Sequence, residues 1–326
     1  ASTNRDLIAI NRAKQIRVLD PGSHFYAHLA LSPDEQQLAW ISWEHPQMPW
    51  DGTQLRLADI DPQGNLVNTT ILAGNESEAV NSPVWSNSGK LYFVSDASGF
   101  WNVWESDTKG STRQLVSESA EWAHPMWIVG THLLRILDSG ELVGIHGNPA
   151  QEKIAVIDPS TGTWRDLECK LTNFAHLSVY QDRIFTIGGG SKILSALVEL
   201  TTTGTTDAEV IAQVAAPIDQ EFLPIAQAIS FPSQNGRTVH AFMSPATNPN
   251  YESTELPPVV ITVHGGPTAN TTGVASIKRA FFTSRGFTVV DVDYGGSTGY
   301  GRAYRETLKG QWGVVDTEDI LEVVAG

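Results

Sequence analysis

Residues 256–313, LPPVVITVHGGPTANTTGVASIKRAFFTSRGFTVVDVDYGGSTGYGRAYRETLKGQWG, decide the fold. Val259 to Val263 form a short, β-branched, apolar run behind Pro257 and Pro258, the composition of a strand buried on both faces of a parallel sheet. The run ends in His264-Gly265-Gly266-Pro267. Val274, Ile277 and Phe281 then recur at helical spacing and predict one buried helix face. Gly286 marks the end of that helix, and Phe287 to Val292 make a second buried run. Strand, crossover helix and strand form a βαβ unit, so a parallel α/β sheet is expected to begin near Pro257.

Two adjacent glycines after a buried strand let the backbone turn sharply and leave N–H groups free to face a ligand. In an α/β-hydrolase the glycine loop after the third strand supplies one N–H of the oxyanion hole, and such a donor is worth roughly 3 kcal/mol of transition-state stabilisation. A plain tight turn would use the same residues. The runs HGGPT, SRGFTVVDVDYGGSTGYGRAYRE and GQWGVVD occur together and in order. Together they resemble the start of the catalytic domain of the prolyl oligopeptidase family of serine peptidases, in its acylaminoacyl-peptidase and dipeptidyl-aminopeptidase branch. The resemblance implies that Gly266 is an oxyanion-hole donor, that Gly265 sets the turn, and that a β-propeller precedes the hydrolase domain. It also implies that the Ser-Asp-His triad follows Gly326 and that the chain is cut at both ends, inactive as it stands. One departure is Asp293-Tyr294-Gly295-Gly296, where many members carry Asn-Tyr-Arg-Gly, so no role of that arginine transfers.

Gly295-Gly296-Ser297-Thr298-Gly299 satisfies the Gly-x-Ser-x-Gly pattern of a nucleophile elbow. Ser297 is nevertheless expected to be a loop residue. Only one helix and one strand separate it from the His264 loop, and the triad of this fold runs Ser, Asp or Glu, then His, whereas no histidine follows His264. A hydroxyl without a base is a weak nucleophile. After Trp312-Gly313, acidic Asp316, Glu318 and Asp319 suit a helix N-terminus, with Ile320, Leu321 and Val324 as its expected buried stripe.

Upstream, the chain changes character. Up to about residue 222 it shows short strands and turns rather than helical periodicity. Strands are expected at 6–10 and 15–19, then in four sets of four, the third comprising 125–127, 132–137, 153–157 and 163–167. Sets recurring at roughly 40 to 55 residues are the signature of propeller blades. An immunoglobulin-type sandwich would not predict the Ser-Pro-Asp or Asn-Ser-Gly turn near successive set starts. The expected architecture is a partial β-propeller of about four visible blades over 1–222, followed over 223–326 by the N-terminal portion of an α/β-hydrolase domain. Gly188-Gly189-Gly190 reads as a hairpin turn, and Asn235-Gly236 as the turn between two strands. Trp101, Trp104, Trp122 and Trp127 read as core, and the insertion carrying His45, Trp50 and Asp51 as a packed or substrate-facing loop.

The composition, 41% hydrophobic with ten tryptophans, excludes a disordered chain, and the net charge of −15 excludes a phosphate-neutralising surface, so no nucleic-acid partner is expected. The single cysteine, Cys169, fits a reducing compartment and a cytoplasmic location. No run is long and apolar enough for a membrane span. The histidines are scattered, and neither a metal nor an organic cofactor is implied. The expected function is hydrolysis of short peptides near their N-terminus, releasing acylated residues or dipeptides. The competing readings are a propeller binding or scaffold module with a vestigial hydrolase tail, and a carboxylesterase of the same fold. Homo-oligomerisation is left open.

Overall fold

The computed structural model describes residues 5–202, 208–215, 217–233, 236–252, 254–266 and 268–325. The first strands, β1 (Asp6–Ile10) and β2 (Ile16–Pro21), pair antiparallel. Four four-stranded sheets follow. The first holds β3 (Phe25–Leu31), β4 (Gln37–Trp43), β5 (Gln54–Ile60) and β6 (Leu66–Ala73). The second holds β7 (Val80–Trp85), β8 (Leu91–Ser95), β9 (Asn102–Ser106) and β10 (Thr112–Gln114). The third holds β11 (Leu134–Ile136), β12 (Leu142–Asn148), β13 (Gln151–Ile157) and β14 (Trp164–Asp166). The fourth holds β15 (Asn173–Tyr180), β16 (Arg183–Gly190), β17 (Ile193–Thr201) and β18 (Glu209–Gln213). In each, spatial order follows chain order, the meander expected of a propeller blade.

The chain separates into two compact units, Ala1–Gly144 with Val156–Arg165, and Ile145–Ala155 with Asp166–Gly326. In the first, β4 shows how a blade buries both of its faces. Its side chains alternate: Ala39, Ile41 and Trp43 join one cluster with Leu55, Leu57, Val80, Leu91 and Phe93, while Leu38 and Trp40 join another with Leu7 and Ala58. Trp40 and Trp101 are wholly inaccessible, as core tryptophans. Trp127 is instead half exposed and lies 4.2 Å, centroid to centroid, from Trp50, which is a buried part of the His45–Asp51 insertion, whereas His45 and Met48 are exposed.

A repeat not expected from the sequence appears in the leading strands. His28 in β3, Ser82 in β7 and His176 in β15 all have positive φ (50°, 51° and 56°), each at a register break in its strand pair. These are bulges at matching blade positions. The third set also differs from expectation: 125–127 is not a strand, and β12, which carries Gly144 and Gly147 within it, takes the second place. Gly144 is needed there, because a Cβ would lie 3.0 Å from the Trp122 ring. Gly188 and Gly189 lie within β16 rather than in a turn. Their Cβ atoms would fall 2.6 Å from Leu171 Cδ1 and Val274 Cγ1, so they permit close packing.

The last sheet holds β19 (Gln227–Pro232), β20 (Thr238–Ser244), β21 (Val259–Val263) and β22 (Thr288–Asp293), in the order β19-β20-β22-β21. Asn235 of the expected β19–β20 turn lies outside the described residues. The β21–β22 pair is parallel and is bridged by helix α1 (Ile277–Thr283), which confirms the βαβ unit. Two expectations within it fail. Val259 and Val263 are about half exposed, because β21 has only β22 as a described neighbour. Helix α1 starts after Val274, capped by Ser276, and buries Arg279, Ala280 and Thr283 while Ile277 and Phe281 face outward. Arg279 takes the inner face because Asp291 of β22 lies 3.8 Å from its Nε and the Val274 carbonyl accepts from its guanidinium.

Beyond β22 come the short helix α2 (Arg302–Arg305), a 3-10 turn (Glu306–Leu308) and α3 (Val315–Ala325). In α3 the buried residues are Val315, Asp319 and Val323, while the expected Leu321 and Val324 are exposed. The stripe is rotated because Asp319 is drawn inward by Arg237. Among the described residues no helix is long and apolar enough to cross a membrane.

Candidate active site

Two loops leave the same end of the parallel pair: His264 to Gly266 after β21, and Tyr294 to Gly301 after β22. Ligand sites of α/β sheets gather at the carboxyl ends of such strands. Gly265 and Gly266 are exposed, and Gly266 takes the left-handed conformation (φ 67°) that favours glycine. The tight turn therefore belongs to Gly266, where the sequence reading assigned it to Gly265. A Cβ on Gly265 would meet nothing within 4 Å, so the space in front of it is open.

The inner side of this loop is held by side chains. Tyr294 Oη lies 3.3 Å from the carbonyl oxygens of both His264 and Gly266, its single proton shared between them. Its ring stacks on the His264 imidazole with centroids 4.6 Å apart and planes 19° from parallel. His264 Nδ1 lies 3.2 Å from the Gly266 carbonyl oxygen and 3.4 Å from that of Gly265. His264 Nε2 lies 2.7 Å from Ser297 Oγ and 3.8 Å from Asp293 Oδ1.

A Ser, a His and an Asp thus sit together, which the sequence order did not reveal. Against expectation Ser297 has an imidazole in reach, because His264 precedes it in the chain yet folds onto it. The grouping still lacks the arrangement of a catalytic triad. There the aspartate binds Nδ1 and the serine Nε2, so that the proton taken at Nε2 is balanced from behind. Here serine and aspartate both approach Nε2, and Nδ1 faces two carbonyls. Ser297 is also wholly inaccessible, and its Oγ is 2.7 Å from the Tyr294 carbonyl, to which it donates. Burial lowers the His264 pKa, outweighing its contacts with the two glycine carbonyls. A neutral ring with its proton on Nδ1 satisfies those carbonyls, and the one Ser297 hydroxyl proton is then shared between the Tyr294 carbonyl and His264 Nε2. The contact is a structural clasp between the two loops.

Asp293, the last residue of β22, anchors the same region from below. It is inaccessible to solvent, and burial pushes its pKa from 3.8 up to about 6 despite donors from the Thr271 N–H (2.7 Å), Thr271 Oγ1 (2.8 Å) and Tyr300 Oη (2.7 Å). Burial and the neighbouring Asp293 drive Tyr300 upward, so it remains a hydrogen-bond donor; its ring stacks on His240 at 4.0 Å. The second glycine loop is fixed at its start by Asp319, which accepts from the Gly295 N–H at 2.7 Å while bound through both oxygens to Arg237. Gly296, Gly299 and Gly301 all have positive φ, and a Cβ on Gly299 would fall 2.4 Å from the Pro149 ring. Among the described residues no group of three or more His, Cys, Asp or Glu side chains could hold a metal ion.

Comparison with known proteins agrees with this architecture. Residues 274–325 match the prolyl oligopeptidase family, Peptidase_S9. The chain is 32% identical over 94 residues to dipeptidyl-peptidase 5 of Schizosaccharomyces pombe, an alignment covering 28% of this chain and 14% of that protein. It is 31% identical over 67 residues to dipeptidyl aminopeptidase BIII of Pseudoxanthomonas mexicana, covering 21% and 10%. Among solved structures, a puromycin-hydrolyzing peptidase of Mycobacterium tuberculosis superposes with a TM-score of 0.91 at 38% identity, covering 97% of this chain and 49% of that one. A Porphyromonas gingivalis dipeptidyl peptidase 4 shares the fold at 14% identity, with a TM-score of 0.72. The chain spans about half the length of these solved structures.

Proposed function

We propose that this chain, a member of the prolyl oligopeptidase family, is the propeller and leading hydrolase portion of a serine peptidase that removes dipeptides or acylated residues from the N-termini of short peptides. The observation that carries this reading is the likeness over 97% of the chain, at 38% identity, to a puromycin-hydrolyzing peptidase, together with an exposed Gly265-Gly266 loop at the carboxyl end of β21. In this reading the serine, aspartate and histidine of the triad come from residues after Gly326. The exposed N–H groups of Gly265 and Gly266 face the carbonyl oxygen of the scissile bond and stabilise it as it becomes negative. The serine attacks that carbonyl carbon, the histidine takes the serine proton and returns it to the leaving amine, and water repeats the sequence on the acyl-enzyme.

Removing nucleophile and base together costs about a millionfold in turnover, so residues 1–326 alone are expected to be silent. The test is hydrolysis by the longer protein of dipeptidyl and acylaminoacyl anilides, puromycin, and simple esters. Turnover of the amides supports a peptidase, and turnover of esters alone refutes it in favour of an esterase.

A further inference from the structure

The donors of an oxyanion hole act only if their peptide planes are held, and the geometry points to Tyr294 as the positioning residue that holds them. This inference rests on the peptidase reading above. A trans peptide is planar, so its N–H and C=O point in opposite directions. The His264 carbonyl accepts from Tyr294 Oη, which turns the Gly265 N–H of the same peptide away from Tyr294. The Gly265 carbonyl faces His264 Nδ1, which turns the Gly266 N–H away from the imidazole. The Gly266 carbonyl is also bound by Tyr294 Oη. All three carbonyls are therefore gathered on the inner side, and both glycine N–H groups are turned to the outer one. Among the described residues neither N–H has an acceptor, and Gly265 opens onto free space. Successive N–H groups in a turn of this kind make an anion-binding concavity.

Without the Tyr294 hydroxyl the loop loses its contacts to the His264 and Gly266 carbonyls, and the glycine backbone at 265 and 266 tolerates the flipped peptide orientation that other residues would resist. A carbonyl would then point where the oxyanion forms. Tyr294 touches no reacting atom in this scheme: it acts through the loop. The side chain is 7% exposed, and the ring itself packs on His264, so removal of the hydroxyl alone leaves the packing intact.

The test is Tyr294→Phe in the longer, active protein. Loss of one oxyanion donor typically costs a hundredfold to a thousandfold in turnover, so partial misorientation is expected to lower kcat about ten- to a hundredfold, with KM changed less than about twofold. A peptidyl boronate, which loads the oxyanion site, is expected to weaken by the same factor as kcat/KM, while a product dipeptide binds as before. The melting temperature reports whether the variant is folded. Unchanged kcat overturns the assignment. So does a parallel loss of affinity for boronate and product, which marks a general structural defect. If the wild-type protein hydrolyses no peptide or aminoacyl amide, the peptidase reading itself fails, whatever the variant does.

Discussion

The buried ion pair between Arg237 and Asp319 offers the sharpest test of how the second glycine loop is held. Asp319 is wholly inaccessible and accepts three hydrogen bonds, two from Arg237 and one from the Gly295 N–H. In Asp319→Ala the guanidinium loses its partner and the Gly295 N–H is buried without an acceptor. Removing one member of such a pair costs about 3 to 5 kcal/mol. With about 1.4 kcal/mol per factor of ten, amide exchange across β22 and the Gly295 loop is expected to accelerate by between a hundred- and several-thousandfold where exchange follows local opening. Arg237→Ala is expected to cost a similar amount, because it leaves Asp319 charged and buried. The double variant Arg237→Met, Asp319→Leu removes both charges and is expected to fall well short of the sum, since apolar replacement of a buried pair is often close to neutral. Hydrogen exchange by mass spectrometry, on all three variants and wild type, reads the comparison. Additive effects, or acceleration in Asp319→Ala of less than about fivefold, would refute the view that this pair fixes the loop.

Three further outcomes follow from the same geometry. Gly266→Ala places a side chain at φ 67° and is expected to cost about 1 to 2 kcal/mol, whereas Gly265→Ala, with open space at its Cβ, is tolerated; thermal unfolding of the pair distinguishes them. Gly189→Ala drives a methyl to 2.6 Å from Val274 and is expected to lower stability, with Val274→Ala in the same chain restoring much of the loss; equal stability of single and double variants would deny the contact. Asp293 is protonated in the folded chain at pH values where the unfolded chain is ionised, so its contribution is full below about pH 4 and lost as pH rises through about 6. That swing is worth about 3 kcal/mol, and Asp293→Asn is expected to be relatively more stable than wild type at pH 7 than at pH 4. His264 and His240, whose pKa values burial lowers, contribute the opposite slope, and because His264 Nε2 lies 3.8 Å from Asp293 the difference between the two profiles reads Asp293 together with its effect on that ring.

Much of the architecture was legible in the sequence because its cause is local. Short, largely apolar runs such as β4, β8 and β13, recurring between Asp-, Asn- and Gly-containing turns, announce four-stranded blades without any knowledge of their packing. The βαβ unit was legible for the same reason, since Gly286 and two β-branched runs bound one helix. What stayed hidden depends on contacts between distant residues. Helix α1 was read with Ile277 and Phe281 inward, yet Asp291 draws Arg279 to that side. Asp319 rotates α3 through Arg237, which lies 82 positions earlier. Ser297 was discounted partly because no histidine follows it. Chain order says nothing of distance, and His264 lies 2.7 Å away. Gly188 and Gly189 look like a turn in sequence because only their neighbours Leu171, Phe174 and Val274 explain why a strand lacks side chains there.

The central claim is that Ser297 clasps two loops while a different serine performs the chemistry beside Gly265 and Gly266. Fluorophosphonate labelling of the longer protein, with the adduct located by peptide mass spectrometry, tests it most directly. The account predicts a single adduct on a serine C-terminal to Gly326 and none on Ser297. An adduct on Ser297 would contradict it.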